Sequence, residues 1–241
     1  MSPYKLCDFK PSYGLIFEDY IKDYDYWAHS DPDLIFGNIY KFIKKPAEEG
    51  DDRIFNRGHL SFYKNDDKMN HLFMQSSKKF GVTYKDIFKT NYICHFDEGP
   101  FLDQLIKEAN CKYYRVISSA DVLYAKYQFN ICNYESKEDE YVFEFNEGTL
   151  KGYFLKDGII NEREFCYVHL QKRKMEMKTE DQNHYYIVPN AFVDGPKSVD
   201  KTFIKTYTMH SDVYEKEFKK VDFKIRVDNV KNGAILYRLK N

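Results

Sequence analysis

An aromatic run, Tyr24-Asp25-Tyr26-Trp27-Ala28-His29, leads to two carboxylates set either side of a proline, Asp31-Pro32-Asp33, and then through Leu34-Ile35-Phe36 to Gly37. Proline pushes the residue before it out of the helical region, so Asp31 is extended, and side chains two apart in an extended segment point the same way. Asp31 and Asp33 can therefore face one cation. Hard divalent ions such as Mg²⁺ and Mn²⁺ are held by one or two carboxylates, with substrate phosphates filling the open positions. The same residues also suit a turn in which the acids accept hydrogen bonds from nearby backbone N–H groups and no metal is present. The hydrophobic strand running into the pair, and Gly37 where backbone has to pass closely, favour the metal.

The pattern of strand, acids and helix occurs twice. Residues 8–21 carry Tyr13, Ile16, Phe17, Tyr20 and Ile21 at spacings of three and four, which predicts a helix whose apolar face covers a sheet, with Pro11 at an early position. A strand over 24–29 follows, then the acid pair, then a short helix with Ile35, Ile39, Phe42 and Ile43 inward, stopped by Pro46. Strands are expected at 53–55 and 59–63, joined through Asn56-Arg57-Gly58, and a polar helix over 66–77. Asn91 to Phe96 predicts another strand, ending at Asp97-Glu98-Gly99 before a helix that puts Phe101, Leu102, Leu105, Ile106 and Ala109 on one side. This alternation indicates a mixed α/β sheet, with ligands gathered beyond the carboxyl ends of strands.

After Lys112 the pattern changes to short aromatic and β-branched runs at 113–117, 123–131, 141–145, 150–155 and 164–169, with Asn146-Glu147-Gly148 and Lys156-Asp157-Gly158 as hairpin turns. Residues 174–184 are polar and read as a linker. Further strands are expected at 185–188, 221–227 and 234–239, with a hairpin at Asn232-Gly233.

Charge narrows the partners. Lys and Arg total 37 against 38 Asp and Glu, a net charge of −1, which gives no field favouring nucleic acid or an anionic membrane. Aromatic residues make up 18% of the 241 positions, with 22 Tyr and 20 Phe; tyrosine suits half-wet surfaces such as carbohydrate grooves. Five widely spaced cysteines without a Cys-x-x-Cys pair read as reduced thiols in a cytoplasmic protein rather than a zinc site. No apolar run approaches the roughly 20 residues of a membrane span, and no secretory pattern opens the chain.

A second constellation lies at Tyr167-Val168-His169-Leu170-Gln171-Lys172-Arg173-Lys174. Strand alternation would put His169, Gln171 and Arg173 on one face, so that His169 completes a metal site begun by Asp31 and Asp33, while Lys172 and Arg173 neutralise a diphosphate. A basic strand end facing solvent is the plainer alternative. Asp97 and Glu98 are candidates for orienting an acceptor hydroxyl or stabilising positive charge at a sugar carbon, and equally for capping the helix that follows. His29, His59 and His95 also lie near strand ends, where an isolated histidine is ordinarily structural.

Five motifs in order, Pro3-Tyr4-Lys5-Leu6-Cys7-Asp8-Phe9-Lys10-Pro11, Asp31-Pro32-Asp33-Leu34-Ile35-Phe36-Gly37, Arg57-Gly58-His59-Leu60, Phe96-Asp97-Glu98 and His169-Leu170-Gln171-Lys172-Arg173, resemble bacterial glycosyltransferase-like proteins encoded with surface-polysaccharide genes. The resemblance covers about residues 3 to 175 and implies a GT-A-type enzyme, in which an Asp-x-Asp motif and a later His hold a divalent metal against a nucleotide-sugar diphosphate. It implies Asp31 and Asp33 as metal and ribose contacts, His169 as the late metal ligand, Lys172 and Arg173 as diphosphate contacts, and Asp97 with Glu98 on the acceptor side. Two departures stand out. Members of that family usually begin with ~100 further residues that hold the nucleotide base, and the middle of their acidic motif is usually aliphatic where this chain has Pro32.

The expected fold is therefore α/β, a GT-A-like mixed sheet flanked by helices over residues 1–175, lacking its first nucleotide-binding strands, followed by a β-rich extension over 176–241. The expected function is transfer of a sugar from a nucleotide-sugar donor, a UDP-sugar, to a glycan acceptor in polysaccharide synthesis, using Mn²⁺ or Mg²⁺. A catalytically inactive carbohydrate- or nucleotide-binding remnant is the first alternative, and a metal-dependent phosphohydrolase using the same Asp/Asp/His set is the second.

Overall fold

The computed structural model describes residues 3–122, 129–132, 141–171 and 173–208, together with Lys216, Lys219, Lys220, Phe223 and Val227. The fold is mixed α/β and falls into two compact units. Of the described residues, the first comprises 3–31, 43–115 and Val227, the second 32–42 and those within 116–226. The chain passes from the first to the second between Asp31 and Pro32, inside the acidic motif.

The first unit opens with a 3-10 helix, Pro3–Ser12, and two short helices, α1 (Tyr13–Ile16) and α2 (Glu18–Ile21). The single helix expected over 8–21 is absent, and its apolar face covers the core only in part. Tyr13 and Ile21 pack inward, while Ile16, Phe17 and Tyr20 are exposed. The cause lies in Lys5, Asp8 and Lys10, all buried, whose polar ends must meet partners elsewhere and so break the apolar periodicity.

A four-stranded sheet follows, in the order β1 (Tyr26–Ser30), β4 (Leu60–Lys64), β3 (Arg53–Arg57), β5 (Tyr113–Tyr114). The β3–β4 hairpin carries a bulge between Ile54 and Arg57, where Phe55 takes a left-handed φ of 68° although buried. Bulges of this kind re-aim the strand end and cluster beside functional sites. Trp27, Phe73, Phe96, Leu102 and Leu105 form the core, supplied by β1 and by α4 (Asp67–Asn70), a 3-10 turn (Leu72–Met74), α5 (Tyr84–Lys89) and α6 (Pro100–Glu108). The helix expected over 66–77 is thus two short pieces.

No strand forms over 91–96. The Asp8 carboxylate accepts the backbone N–H groups of Cys94 and Phe96, each at 2.9 Å, which are the donors a sheet ladder would need. Lys5 completes the clamp: its ammonium donates to Asp8 at 2.7 Å and to the carbonyls of Ile87 at 2.6 Å and Tyr92 at 2.8 Å.

The second unit holds two sheets. One runs β2 (Leu34–Phe36), β11 (Tyr167–His169), β6 (Ser119–Val122), β7 (Phe129–Cys132). The expected helix at Ile35 is this strand instead. Helix α3 begins at Ile39 and runs through Pro46 to Glu48, because a proline in the last turn removes one hydrogen bond near an end that is fraying already. Gly37 passes closely, as anticipated. Its N–H donates to Cys166 at 2.8 Å, and a Cβ there would stand 2.6 Å from the Phe165 carbonyl.

The other sheet has six strands, β10 (Ile159–Glu164), β9 (Thr149–Lys156), β8 (Tyr141–Asn146), β13 (His184–Val188), β14 (Ala191–Val193) and β12 (Glu176–Lys178). Both predicted hairpins are present, with left-handed backbone at Glu147-Gly148 and Asp157-Gly158. The boundary expected at residue 175 falls inside this unit, since β13 pairs with β8 across it. The polar stretch 174–184 supplies β12 rather than a linker. Helix α7 (Lys201–Thr208) contributes Ile204 to the core on this sheet. The middle of the 123–131 strand, Lys172, the 234–239 strand, the Asn232-Gly233 hairpin and most of 221–227 lie outside the described residues. Among the described residues no helix is long and apolar enough to cross a membrane.

A buried ion pair is costly to break by halves, because the partner left behind stays charged and desolvated. Lys5→Ala should therefore destabilise the first unit by about 3–5 kcal/mol, read from urea unfolding; a loss below ~1 kcal/mol would mean the clamp does not hold the 3-10 segment.

Candidate functional site

In the second unit, strand register builds the site. Strand β11 lies between β2, antiparallel, and β6, parallel, so that His169 is level with Leu34 on one side and Asp121 on the other. Asp33 immediately precedes β2 and is tied in by its carbonyl, which accepts the Leu170 N–H at 2.9 Å. The imidazole thus sits between two carboxylates. His169 Nδ1 is 3.1 Å from Asp121 Oδ1, and Nε2 is 3.5 Å from Asp33 Oδ1. Burial pulls the His169 pKa down, but hydrogen bonding to Asp121 and Asp33 and their charge outweigh it and raise it to about 9. Cys132 Sγ, in a buried residue, lies 3.7 Å from Asp121 Oδ2.

A carboxylate oxygen and an imidazole nitrogen at this spacing suit a divalent ion. Two ligands bound at ~2.1 Å are roughly 3 Å apart when their bonds are at right angles, and further apart at wider angles. The nitrogen donor favours Mn²⁺ over Mg²⁺, which prefers an all-oxygen shell.

Strand alternation stops at His169, however. Gln171 has a left-handed φ of 48°, and the Arg173 N–H donates to the Leu170 carbonyl at 2.9 Å, so 169, 171 and 173 do not line one strand face. The Arg173 guanidinium donates to Asn190 Oδ1 at 2.9 Å, and burial lowers its pKa to about 10. The structure thus gives Arg173 a partner in its own unit. Lys172 lies outside the described residues.

In the first unit, Asp31, Asp97 and Glu98 gather around Lys10 and Gly58. The Lys10 ammonium is 2.6 Å from Asp31 Oδ1, 3.2 Å from Asp97 Oδ2, and donates to the Gly58 carbonyl at 2.6 Å. The Gly58 N–H in turn donates to Glu98 Oε2 at 3.1 Å. Residues 31–33 bend instead of continuing β1, since Pro32 has no N–H for a ladder. Arg53, fully buried, donates to the Asp97 carbonyl at 3.0 Å and to Ser61 Oγ at 3.1 Å, and its Cζ lies 5.2 Å from each of the Tyr63 and Tyr113 ring centroids, within cation–π range.

The two neighbouring acids are driven apart in acidity. Burial, with Glu98 adding to it, raises Asp97 to about 6 against the pull of Lys10. The hydrogen bond to His95, then the Gly58 N–H, lowers Glu98 to about 2. Such a split marks one carboxylate that exchanges a proton near neutrality beside one that stays charged. His95 is itself raised by Glu98. His29 is buried and held neutral, first by burial and then by the charges of Lys10 and Arg53, in keeping with a structural role; His59 is also buried.

Lys10, Arg53 and Asp121 were not identified as site residues from sequence. Lys10 lay within a quoted motif but inside an expected amphipathic helix. Asp121 had a signal: an acid between Ala120 and Val122 in a β-rich stretch must be buried, and a buried acid requires a partner.

The chain belongs to a family described only as a family of unknown function (DUF6625), whose sequence model matches residues 1–196. No curated protein and no solved structure matches it.

Gly58 has no room for a side chain. A Cβ there would stand 2.8 Å from Asp97 Oδ2 and 2.9 Å from Glu98 Oε2, and both oxygens are pinned, by Lys10 and by the Gly58 N–H. Gly58→Ala should cost about 1–3 kcal/mol and move the Asp97 titration, followed by carboxyl ¹³C NMR, away from about 6. An unchanged titration would show that the close approach does not set the acid pair.

Proposed function

We propose that the chain is a metal-dependent glycosyltransferase that moves a sugar from a nucleotide-sugar donor, a UDP-sugar, to a hydroxyl of a glycan acceptor. The observation that carries this reading is the convergence of Asp33 and His169, far apart in sequence, into a mixed oxygen and nitrogen donor pair at 3.5 Å. The motif resemblance supplies the substrate class. Asp33 and His169 would hold Mn²⁺, and Asp31, two residues earlier, is the second carboxylate the motif assigns to the donor side. Once bound, the ion supplies Lewis-acid charge for a departing diphosphate. Lys172 and Arg173 are assigned to the same diphosphate by the resemblance alone.

On the acceptor side, Asp97 is the general base. The resemblance assigns it to the acceptor hydroxyl, and its pKa of about 6 keeps it ionised at neutral pH while leaving it basic enough to take up that proton. Glu98 stays charged and fixes the Gly58 backbone beside it. Five free cysteines accord with a reducing, cytoplasmic setting.

Calorimetric titration with UDP tests the donor side. Wild type should bind UDP with Mn²⁺ present and at least about tenfold more weakly without it, and Asp33→Ala and His169→Ala should each abolish the difference. Metal-independent binding, or none, would contradict the transferase. UDP release from a UDP-sugar distinguishes a working enzyme from an inactive remnant, and release of inorganic phosphate from simple phosphoesters would favour a phosphohydrolase.

The acceptor side predicts a pH profile. A base must be ionised to act, so kcat/KM should be level above about 6 and fall about tenfold per unit as pH drops below it. Asp97→Asn should lower kcat by about 10²–10⁴-fold and remove that acid limb; a limb that survives the substitution belongs to another group.

A further inference from the structure

We infer that Asp121 is a positioning residue for the metal site: by accepting a hydrogen bond from His169 Nδ1 it fixes the ring so that Nε2 is the nitrogen left for an ion shared with Asp33, an inference that rests on the metal reading above. A carboxylate accepts hydrogen bonds and donates none, so the 3.1 Å contact between His169 Nδ1 and Asp121 Oδ1 places the proton on Nδ1. Imidazole binds a metal through one nitrogen, and the hydrogen bond made by the other decides which one is available.

Three features separate this from an incidental contact. The parallel pairing of β11 with β6 sets His169 level with Asp121, so the sheet itself, and not a mobile side chain, holds the two together. Asp121 is only 6% exposed in a strand whose residues are all buried, a costly place for a carboxylate unless its charge is used. Its second oxygen is 3.7 Å from the Cys132 thiol on the neighbouring strand β7, which limits rotation of the carboxylate away from the ring. Sequence reading gave no role to this residue, and the motifs that carry the family resemblance do not include it.

The decisive variant is Asp121→Asn, which keeps the side-chain volume. An amide placed against Nδ1 can present its NH₂ group, and the ring then carries its proton on Nε2, the nitrogen the ion needs. Mn²⁺ affinity is read from the electron paramagnetic resonance of free Mn²⁺, and fold from circular dichroism. Asp121→Asn should weaken Mn²⁺ binding by about 10–100-fold with the spectrum of the folded protein retained. Nitrogen-15 NMR of the histidines adds a readout independent of metal: at a pH high enough for the metal-free ring to be neutral, His169 should carry its proton on Nδ1 in the wild type and on Nε2 in the variant. Wild type and variant that bind Mn²⁺ equally would overturn the inference and leave the metal reading standing. Wild type that binds no Mn²⁺ would overturn both. Should the asparagine variant fail to fold, Asp121→Glu, which keeps the acceptor and the charge, should retain the Nδ1–H signature; loss of that signature with the charge retained would also overturn the inference.

Discussion

Strand β11 is hydrogen-bonded on both sides, antiparallel to β2 and parallel to β6, and this pairing is the constraint on which the proposed metal site of the second unit depends. Residues 34, 121 and 169 are remote in sequence, yet backbone ladders fix them level with one another, and the side chains need little freedom to meet. A site built on strands is held more tightly than one built on loops. The neighbouring bend at 31–33 is different in kind. Pro32 ends the ladder there, so Asp33 is placed by one backbone hydrogen bond to Leu170 and by its contact with His169.

The first unit organises itself around buried charge. Lys5 and Asp8 are both fully buried, and together they engage four backbone groups from residues 87–96. Lys10 does the same for Asp31, Asp97 and the Gly58 carbonyl. Charges removed from water are tolerated when each is paired and its remaining hydrogen-bonding capacity is filled. The Lys5–Asp8 cluster meets that condition, whereas Asp97 Oδ1 is buried without a hydrogen-bond partner; both clusters give up regular structure, since the amino-terminal helix becomes a 3-10 segment and residues 91–96 lose a strand. Stability and chemistry are thereby linked, since the lysine that balances Asp97 sits in the same irregular segment as the clamp.

What the sequence showed and what it hid follow from the range of the forces involved. The hairpins at 146–148 and 156–158, the strands at 53–57 and 60–64 and helix α6 are set by local turn chemistry and by apolar periodicity, which a sequence displays directly. The amino-terminal helix and the 91–96 strand failed because Asp8 and Lys5 act across more than eighty residues, beyond any local pattern. For the site, the motifs grouped Asp31, Asp33 and His169; the contact between Asp33 and His169 is present, Asp31 is engaged by Lys10, and Asp97-Glu98 lie just before helix α6, as expected. Alternation past His169 was not a safe guide, because a left-handed Gln171 turns the chain. Lys10 and Asp121 were hidden for a common reason: their partners are brought near only by the tertiary fold.

The central claim is that Asp33 and His169 hold a divalent ion, and anomalous diffraction tests it most directly. Crystals grown with Mn²⁺ and UDP should show a peak at the manganese edge within about 2.0–2.3 Å of Asp33 Oδ1 and His169 Nε2. A crystal in which the manganese peak lies away from both atoms, or in which the two are fully ordered with no peak between them, would contradict the account.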